Sequence, residues 1–65
     1  MNLSQLQYFR TLAKEEHYTR AAQSLSITQT SLSHAIAQLE QERGTRLFEK
    51  KGRNVVLTRY GKIFL

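Results

Sequence analysis

The sequence predicts a mainly α-helical domain with a small two-stranded β-sheet towards its C-terminal end. Two patterns indicate this fold class. Up to residue 43, apolar residues recur at the three- and four-residue intervals that place them on one face of a helix. After Gly44 this spacing gives way to two short runs around a turn sequence, which is typical of a β-hairpin. With 65 residues, the chain makes a single small domain with little room for an enclosed ligand pocket.

The first predicted helix runs from Asn2 to about Glu15. Its expected buried face is formed by apolar residues at helical spacing, namely Leu3, Leu6, Phe9, Leu12 and Ala13. Its expected solvent side carries the polar residues Gln5, Arg10 and Lys14. The helix is expected to pack behind the next two helices, and Tyr18 after it is expected to be a core or boundary aromatic residue.

The middle of the chain contains two helical patterns separated by a very short turn. Thr19 can cap the first pattern, and the pair Ala21-Ala22 is small enough for a second helix to cross closely. The pair Ser26-Ile27 forms the turn, and Thr28 restarts a helix. This arrangement predicts a helix-turn-helix over about residues 18–37.

The second helix of this motif has an apolar side and a polar side. Its predicted buried face follows the i, i+3, i+4, i+7 spacing at Leu32, Ala35, Ile36 and Leu39. Its other side carries short or medium polar groups and one alanine, namely Thr30, Ser33, His34, Ala37, Gln38 and Gln41. A helix that is only solvated normally carries Glu and Lys pairs, and no acidic residue lies among these positions. The pattern therefore favours a recognition helix in the major groove of DNA, where base edges offer donors, acceptors and thymine methyls.

The C-terminal third predicts a basic β-hairpin. Residues 47–50 and 55–57 are the expected strands, and residues 51–54 are the expected turn. Seven of the ten Lys and Arg residues lie from Arg43 onward, where Glu49 is the only acidic residue. The positive charge of the chain is therefore concentrated on and around the hairpin.

A fourth helix is predicted to begin after the hairpin. Thr58 is the expected N-cap of a helix from residue 59 to residue 65, whose apolar face is formed by Tyr60, Ile63 and Phe64. The complete pattern is a winged helix-turn-helix: three helices, a two-stranded β wing and the start of a linker helix. We expect the winged domain to cover residues 1–57 and the linker helix to begin over residues 58–65. The apolar ending suggests that the protein continues or pairs with another chain.

Composition favours nucleic acid as the partner. The net charge is +5 and the isoelectric point is about 10.1, above the value of about 9 that indicates a nucleic-acid-binding domain. The absence of cysteine and of any apolar run approaching the ~20 residues of a membrane helix predicts a soluble, cytoplasmic protein. His17 and His34 lie far apart in the pattern, no cysteine is present, and the four glutamates before Arg43 fall on connectors or outer helix positions, so we expect no metal site and no nucleophile–base pair. We therefore expect no cofactor and no enzymatic activity.

The residues themselves resemble the LysR-type transcriptional regulators, essentially from Met1 to Leu65. The matching positions are the opening NLSQLQYF, the segment TRAAQSL, Thr28-Gln29 with Leu32-Ser33, Ile36 with Leu39-Glu40, Gly44 with Leu47-Phe48, and Arg53, Leu57-Thr58 and Gly61. No single match is diagnostic, but their joint order and spacing is specific.

This resemblance implies a bacterial sequence-specific DNA-binding domain. In the family, a long linker helix joins such a domain to an effector-binding domain that senses a small molecule, and that second domain is absent from this chain. The linker helix pairs with that of a second subunit, so the resemblance implies a homodimer or a dimer of dimers. Two recognition helices would meet an interrupted inverted repeat on double-stranded DNA, about one helical turn apart.

Three positions depart from the family pattern. Thr30 stands where proline is usual, which removes some preorganisation from the start of the recognition helix but adds a hydroxyl. His34 stands where arginine is common, which changes one expected phosphate or guanine contact. Arg43 stands where leucine is common, which predicts a more exposed or more basic end of that helix.

The predicted DNA-contacting residues lie on the helix-turn-helix and on the wing. They are Arg20, Thr28, Gln29, Thr30, Ser31, Ser33, His34, Gln38, Lys50, Lys51 and Arg53. Thr28 is expected both to cap its helix and to present the helix N-terminus to a phosphate. The wing cations are expected at phosphates or in the minor groove. Tyr60, Ile63 and Phe64 are the expected dimerisation residues.

Two interpretations stay open at this point. Arg20 serves either as a phosphate contact or only to solubilise its helix. The domain as a whole has an alternative function as a winged-helix protein–protein interaction module, with its helix face against another protein. Loss of binding on charge reversal at the wing favours DNA, whereas loss on changing exposed apolar residues favours protein.

Overall fold

The computed structural model describes residues 2–64 and confirms the predicted winged helix-turn-helix. Its elements in chain order are α1 (Leu3–Glu15), α2 (Tyr18–Leu25), α3 (Gln29–Arg43), β1 (Phe48–Lys51), β2 (Asn54–Leu57) and α4 (Arg59–Phe64). The two strands are antiparallel and form the wing. The prediction that α4 includes Leu65 lies outside the described residues. Within residues 2–64, no helix is long and apolar enough to cross a membrane.

A single apolar core joins all three main helices to the wing. Its buried members are Phe9, Leu12, Ala21, Ala22, Leu32, Ile36, Leu39, Leu47, Phe48 and Val55. The two alanines of α2 are almost fully buried, which is the close helix crossing that their small size allows. Tyr18 packs against the edge of this core. Partial burial, together with the nearby charge of Glu40, raises the pKa of its hydroxyl above the usual value.

The buried stripe of α1 differs from the predicted one at two positions. Leu3 was expected in the core but is 80% exposed, and Gln5 was expected outside but is only 7% exposed. The cause is the capping box that begins the helix: Asn2 Oδ1 accepts the Gln5 backbone N–H at 2.8 Å, and Gln5 Oε1 accepts the Asn2 N–H at 3.2 Å. These bonds satisfy the buried amide, so the inner stripe consists of Gln5, Phe9 and Leu12.

The expected N-cap of α2 is also wrong. The helix begins at Tyr18, and its N-cap is His17, whose Nδ1 accepts the backbone N–H of Arg20 at 3.4 Å. Thr19 therefore lies inside the first turn, and its hydroxyl is available for another partner. At the other end of α2, Ser26 adopts a left-handed conformation with φ 57°, and its N–H reaches the carbonyl groups of the last turn.

The base of the wing is held by one carboxylate of α3. Glu40 Oε2 accepts the backbone N–H of Leu47 at 2.6 Å and that of Phe48 at 3.1 Å. Arg46 Nε lies 3.7 Å from the same oxygen. On the other strand, the Val55 N–H donates to the Glu16 carbonyl at 2.9 Å. The wing is thus attached to the helical body at the start of β1 and through Val55, the second residue of β2.

The short helix α4 packs across the base of the wing. Its Gly61 approaches the Leu47 carbonyl so closely that a Cβ there would collide with it. The Phe64 ring lies edge-on against Phe9, with 4.9 Å between ring centroids. The guanidinium of Arg43 lies 4.4 Å from the centroid of the same Phe64 ring. Arg43, expected only to be exposed or basic, therefore also fixes α4 against the end of α3.

Candidate nucleic-acid interface

The N-terminal half of α3 is buried on one side and hydrogen-bonding on the other. Leu32, Ile36 and Leu39 face the core, as predicted. The opposite side exposes uncharged polar groups, namely Gln29, Thr30, Ser31, Ser33, His34 and Gln38. Because the core residues fix the rotation of the helix, the polar side is presented as a rigid surface.

The first turn of α3 is organised by Thr28. Its Oγ1 accepts the Ser31 backbone N–H at 3.0 Å and its hydroxyl donates to Ser31 Oγ at 2.9 Å. The predicted N-cap is therefore present, and it accepts a hydrogen bond from one of the backbone amides that a helix start leaves unpaired. The remaining amides of this turn carry the partial positive charge of the helix dipole.

Gln29 is joined to the preceding helix by its side chain. The Thr19 hydroxyl donates to Gln29 Oε1 at 3.0 Å, between residues that are both exposed. Thr19 was not among the predicted DNA-contacting residues, because the sequence suggested a capping role for its hydroxyl. The position of Thr19 on the helix that crosses the start of the recognition helix could have indicated this contact. Whether the two side chains meet depends on the geometry of the crossing, which the sequence does not give.

The wing presents its cations at and next to its tip. The register pairs Lys51 with Asn54, which leaves Gly52 and Arg53 as a two-residue loop. Gly52 has φ 65°, a conformation that two-residue hairpin loops require and that glycine adopts without strain. Lys50, Lys51 and Arg53 are all exposed. The turn is thus shorter than the four residues that the sequence suggested.

The wing shares a surface with the helix-turn-helix. Lys50 lines a concavity of about 250 Å³ together with Tyr18 of α2 and Glu40 of α3. Arg20 is exposed two residues farther along α2. The structure therefore exposes every predicted DNA-contacting residue and attaches the wing beside α3.

The predicted dimerisation residues do not share one environment. Tyr60 is 58% exposed and Ile63 is 78% exposed. Phe64 is partly buried and packs inside the chain against Phe9 and Arg43. The outward apolar surface of α4 therefore consists of Tyr60 and Ile63 among the residues that the structure describes.

A metal centre finds no support in the described part of the chain. Within residues 2–64, no group of three or more His, Asp or Glu side chains is placed to hold a metal ion. The exposed polar surface of α3 and the cations of the wing are instead the types of group that bind base edges and phosphates.

Comparison with known families assigns the chain. Residues 3–62 match the model of the bacterial regulatory helix-turn-helix proteins of the lysR family. This chain belongs to that family. Among its relatives, the uncharacterised HTH-type transcriptional regulator YybE of Bacillus subtilis (strain 168) is 54% identical over 65 residues, which is all of this chain and 22% of that protein. The HTH-type transcriptional regulator BudR of Klebsiella aerogenes is 48% identical over 98% of this chain and 45% of its own length.

Solved structures of the family include complexes with DNA. The CbnR DNA-binding domain bound to DNA superposes with a TM-score of 0.94 at 32% identity, covering 100% of this chain and 75% of that one. The BenM DNA-binding domain bound to benA site 1 DNA superposes with a TM-score of 0.93 at 41% identity, covering 98% and 74%. This LysR-family chain is therefore a helix-turn-helix DNA-binding domain, and it spans less than half the length of the two curated relatives named above.

Proposed function

We propose that this LysR domain recognises a specific sequence on double-stranded DNA and so directs a transcriptional regulator to its operator. One observation supports this function above the others: an uncharged hydrogen-bonding face of α3 lies exposed beside a strongly basic wing. The first surface suits base edges and the second suits phosphates. Relatives that are named as transcriptional regulators support the same proposal and favour a non-enzymatic role.

The proposed contacts divide into two groups. Gln29 and Ser33 stand in the first turns of α3 and are exposed, so we assign them to base edges, with Thr30, His34 and Gln38 along the same side. Thr28 and Ser31 form the capped helix start, which faces a phosphate. Arg20, Lys50, Lys51 and Arg53 are assigned to the DNA backbone, with the wing tip at phosphates or the minor groove.

The whole protein is proposed to act as a homodimer or a dimer of dimers on an interrupted inverted repeat. The outward pair Tyr60 and Ile63 on α4 supports pairing through a longer linker helix. A small-molecule inducer is proposed to bind a second domain beyond this chain. Because its target is the bacterial chromosome, we place the protein in the cytoplasm.

Selection from a randomised DNA duplex library tests this function. The 65-residue chain should enrich a defined half-site, and Arg53→Glu should weaken binding to the enriched duplex while leaving the melting temperature nearly unchanged, because Arg53 is exposed. Leu3→Ser changes an exposed apolar residue and serves as the matched control. A wild-type chain that enriches no duplex, or Arg53→Glu binding that equals wild type, would count against this function, and the first outcome would favour the protein–protein interaction module instead.

Equilibrium sedimentation tests the proposed pairing separately. The chain should dimerise weakly and occupy two half-sites cooperatively, and Ile63→Ser should abolish that cooperativity without weakening binding to a single half-site. Phe64→Ser is not a clean alternative, because this ring packs on Phe9 inside the chain. A strictly monomeric chain that fills the two half-sites independently would show that the pairing surface lies beyond residue 65.

A further inference from the structure

The side-chain bond between Thr19 and Gln29 links the two helices of the motif at the point where DNA is proposed to bind. The donor lies in the first turn of α2 and the acceptor is the first residue of α3. Both side chains are exposed, and the bond from Thr19 Oγ1 to Gln29 Oε1 measures 3.0 Å. The two residues are ten positions apart in the chain, so the contact exists only because the helices cross here.

This bond contributes little to the stability of the free domain. Water competes for both exposed groups, so the net gain from one such hydrogen bond is small. Each helix also has its own cap and its own buried contacts, which do not involve the pair. The bond does, however, restrict the orientation of a long side chain that otherwise samples many rotamers.

The orientation that it selects has a chemical consequence. The Gln29 carbonyl oxygen is turned towards α2, and within residues 2–64 the amide nitrogen makes no hydrogen bond. A glutamine amide has two N–H donors and a carbonyl with two lone pairs. With one lone pair held by Thr19, the exposed part of the amide is chiefly a donor. In the major groove, N7 of adenine and guanine and O4 of thymine are acceptors, whereas cytosine presents a donor, so a donating amide discriminates a purine from cytosine.

We propose that Thr19 is a positioning residue that orients Gln29 so that its amide nitrogen donates to N7 of a purine in the half-site. This inference rests on the proposed function, because it assigns the specificity of the same surface. DNA excludes water from the pair, so the bond matters more in the complex than in the free domain. Thr19 thereby determines base preference at the Gln29 position without touching a base itself.

The test is a double-mutant cycle on the preference for a purine over cytosine at one base position, called the purine preference. Wild type first enriches a half-site from a randomised duplex library, and that duplex and its variant with cytosine in place of the purine are then the probes. Thr19→Val keeps the shape of the side chain but removes the hydroxyl, and it should lower the purine preference about two- to tenfold, the effect of one hydrogen bond. Thr19→Ser keeps a hydroxyl and should therefore show the wild-type purine preference. The melting temperatures of all variants should agree closely.

The Gln29→Ala background distinguishes positioning from a direct role of Thr19. In that background Thr19→Val should have no effect, because the group that it orients is gone. An equal effect in both backgrounds would mean that Thr19 contacts DNA itself, and it would overturn the inference. The inference would also be overturned if Thr19→Val had the same purine preference as wild type while wild type still selects a half-site. If wild type enriches no duplex at all, the proposed function fails first, and the inference fails with it.

Discussion

The recognition helix and the wing differ in both charge and attachment. From Thr28 to Leu39 the chain contains no Lys, Arg, Asp or Glu, whereas the wing carries Lys50, Lys51 and Arg53 on two strands and their loop. The helix is held along its length by Leu32, Ile36 and Leu39, whereas the wing is attached through Leu47, Phe48 and Val55 and its two-residue loop projects beyond them. The domain thus separates the surface that suits base reading from the surface that suits phosphate binding.

This separation implies that affinity and specificity respond to different substitutions. A neutral helix gains little from non-specific DNA, since the sequence-independent part of binding comes from phosphate neutralisation. A basic wing binds phosphates of any sequence, but it fixes the position and orientation of the helix beside it. Variants in one region should therefore change one property and leave the other largely intact.

The largest expected effect is that of salt. If a dimer neutralises ~6 phosphates, log K should fall against log salt with a slope of about −5, which is roughly a thousandfold loss between 50 and 200 mM. Replacing Lys50, Lys51 and Arg53 by glutamine should make the slope much shallower, because these cations are exposed on the wing. Gln29→Ala should leave the slope unchanged. Filter-binding titrations at several salt concentrations measure the slope, and a wild-type slope near zero would contradict the assignment of phosphate binding to the wing.

The next effect concerns the carboxylate that joins the two regions. Glu40→Ala leaves the Leu47 and Phe48 backbone amides without their acceptor and should destabilise the fold by about 2–3 kcal/mol. Thermal and urea unfolding measure this loss. Glu49→Ala, at an exposed position on β1, is the matched control and should change the free energy of unfolding by less than about 0.5 kcal/mol. Equal losses in both variants would show that Glu40 does not hold the wing.

A smaller effect is expected for the proposed base reader. Gln29→Ala should reduce discrimination at one base pair of each half-site by about 1–3 kcal/mol, while non-specific affinity and the salt slope stay the same. Competition between the selected duplex and its single-base variants measures this change. A uniform loss of affinity on all duplexes would make Gln29 a backbone contact.

The smallest effect is expected at His34, which is exposed on the uncharged side of α3. His34→Arg adds a permanent positive charge to the surface that is proposed to face DNA, so affinity should rise about two- to tenfold. His34→Gln keeps a hydrogen-bonding side chain without adding a charge and is the matched control, which should change affinity less. Filter-binding titrations on the selected duplex measure both variants, and equal affinities for wild type and His34→Arg would show that this position does not approach the DNA.

The helical periodicity predicted those parts of the structure that depend on local spacing. The buried face of α3 and the Thr28 cap both follow from residues within one or two turns of each other. The burial of Gln5 and the exposure of Leu3 did not follow, because a capping box at the helix start overrode the apolar pattern. In α1, apolar spacing predicted the interior of the helix but not its first turn.

Contacts between elements were the other part that spacing did not predict. The bond between Thr19 and Gln29 depends on how α2 crosses α3, and the packing of Phe64 on Phe9 depends on the path of α4 over the wing. Arg43 was noted only as a departure from the family, and its position over the Phe64 ring required the fold. The residues predicted for the interface are nevertheless all exposed, because the polar side of α3 and a basic turn are expected to face solvent; their contacts with DNA stay a prediction.

The geometry of the wing limits how its reach can change. A Cβ at Gly52 would meet nothing within 4 Å among the described residues, so the loop projects into open space at the end of a regular ladder. Adding one residue to each strand moves the loop outward by about 3.4 Å and turns the neighbouring side chains to the opposite face. Only additions of two residues per strand, about 6.8 Å, return each side chain to its original face. Insertions and deletions in this hairpin should therefore be tolerated in pairs on each strand, because odd changes would exchange the faces to which the neighbouring residues Lys50 and Lys51 point.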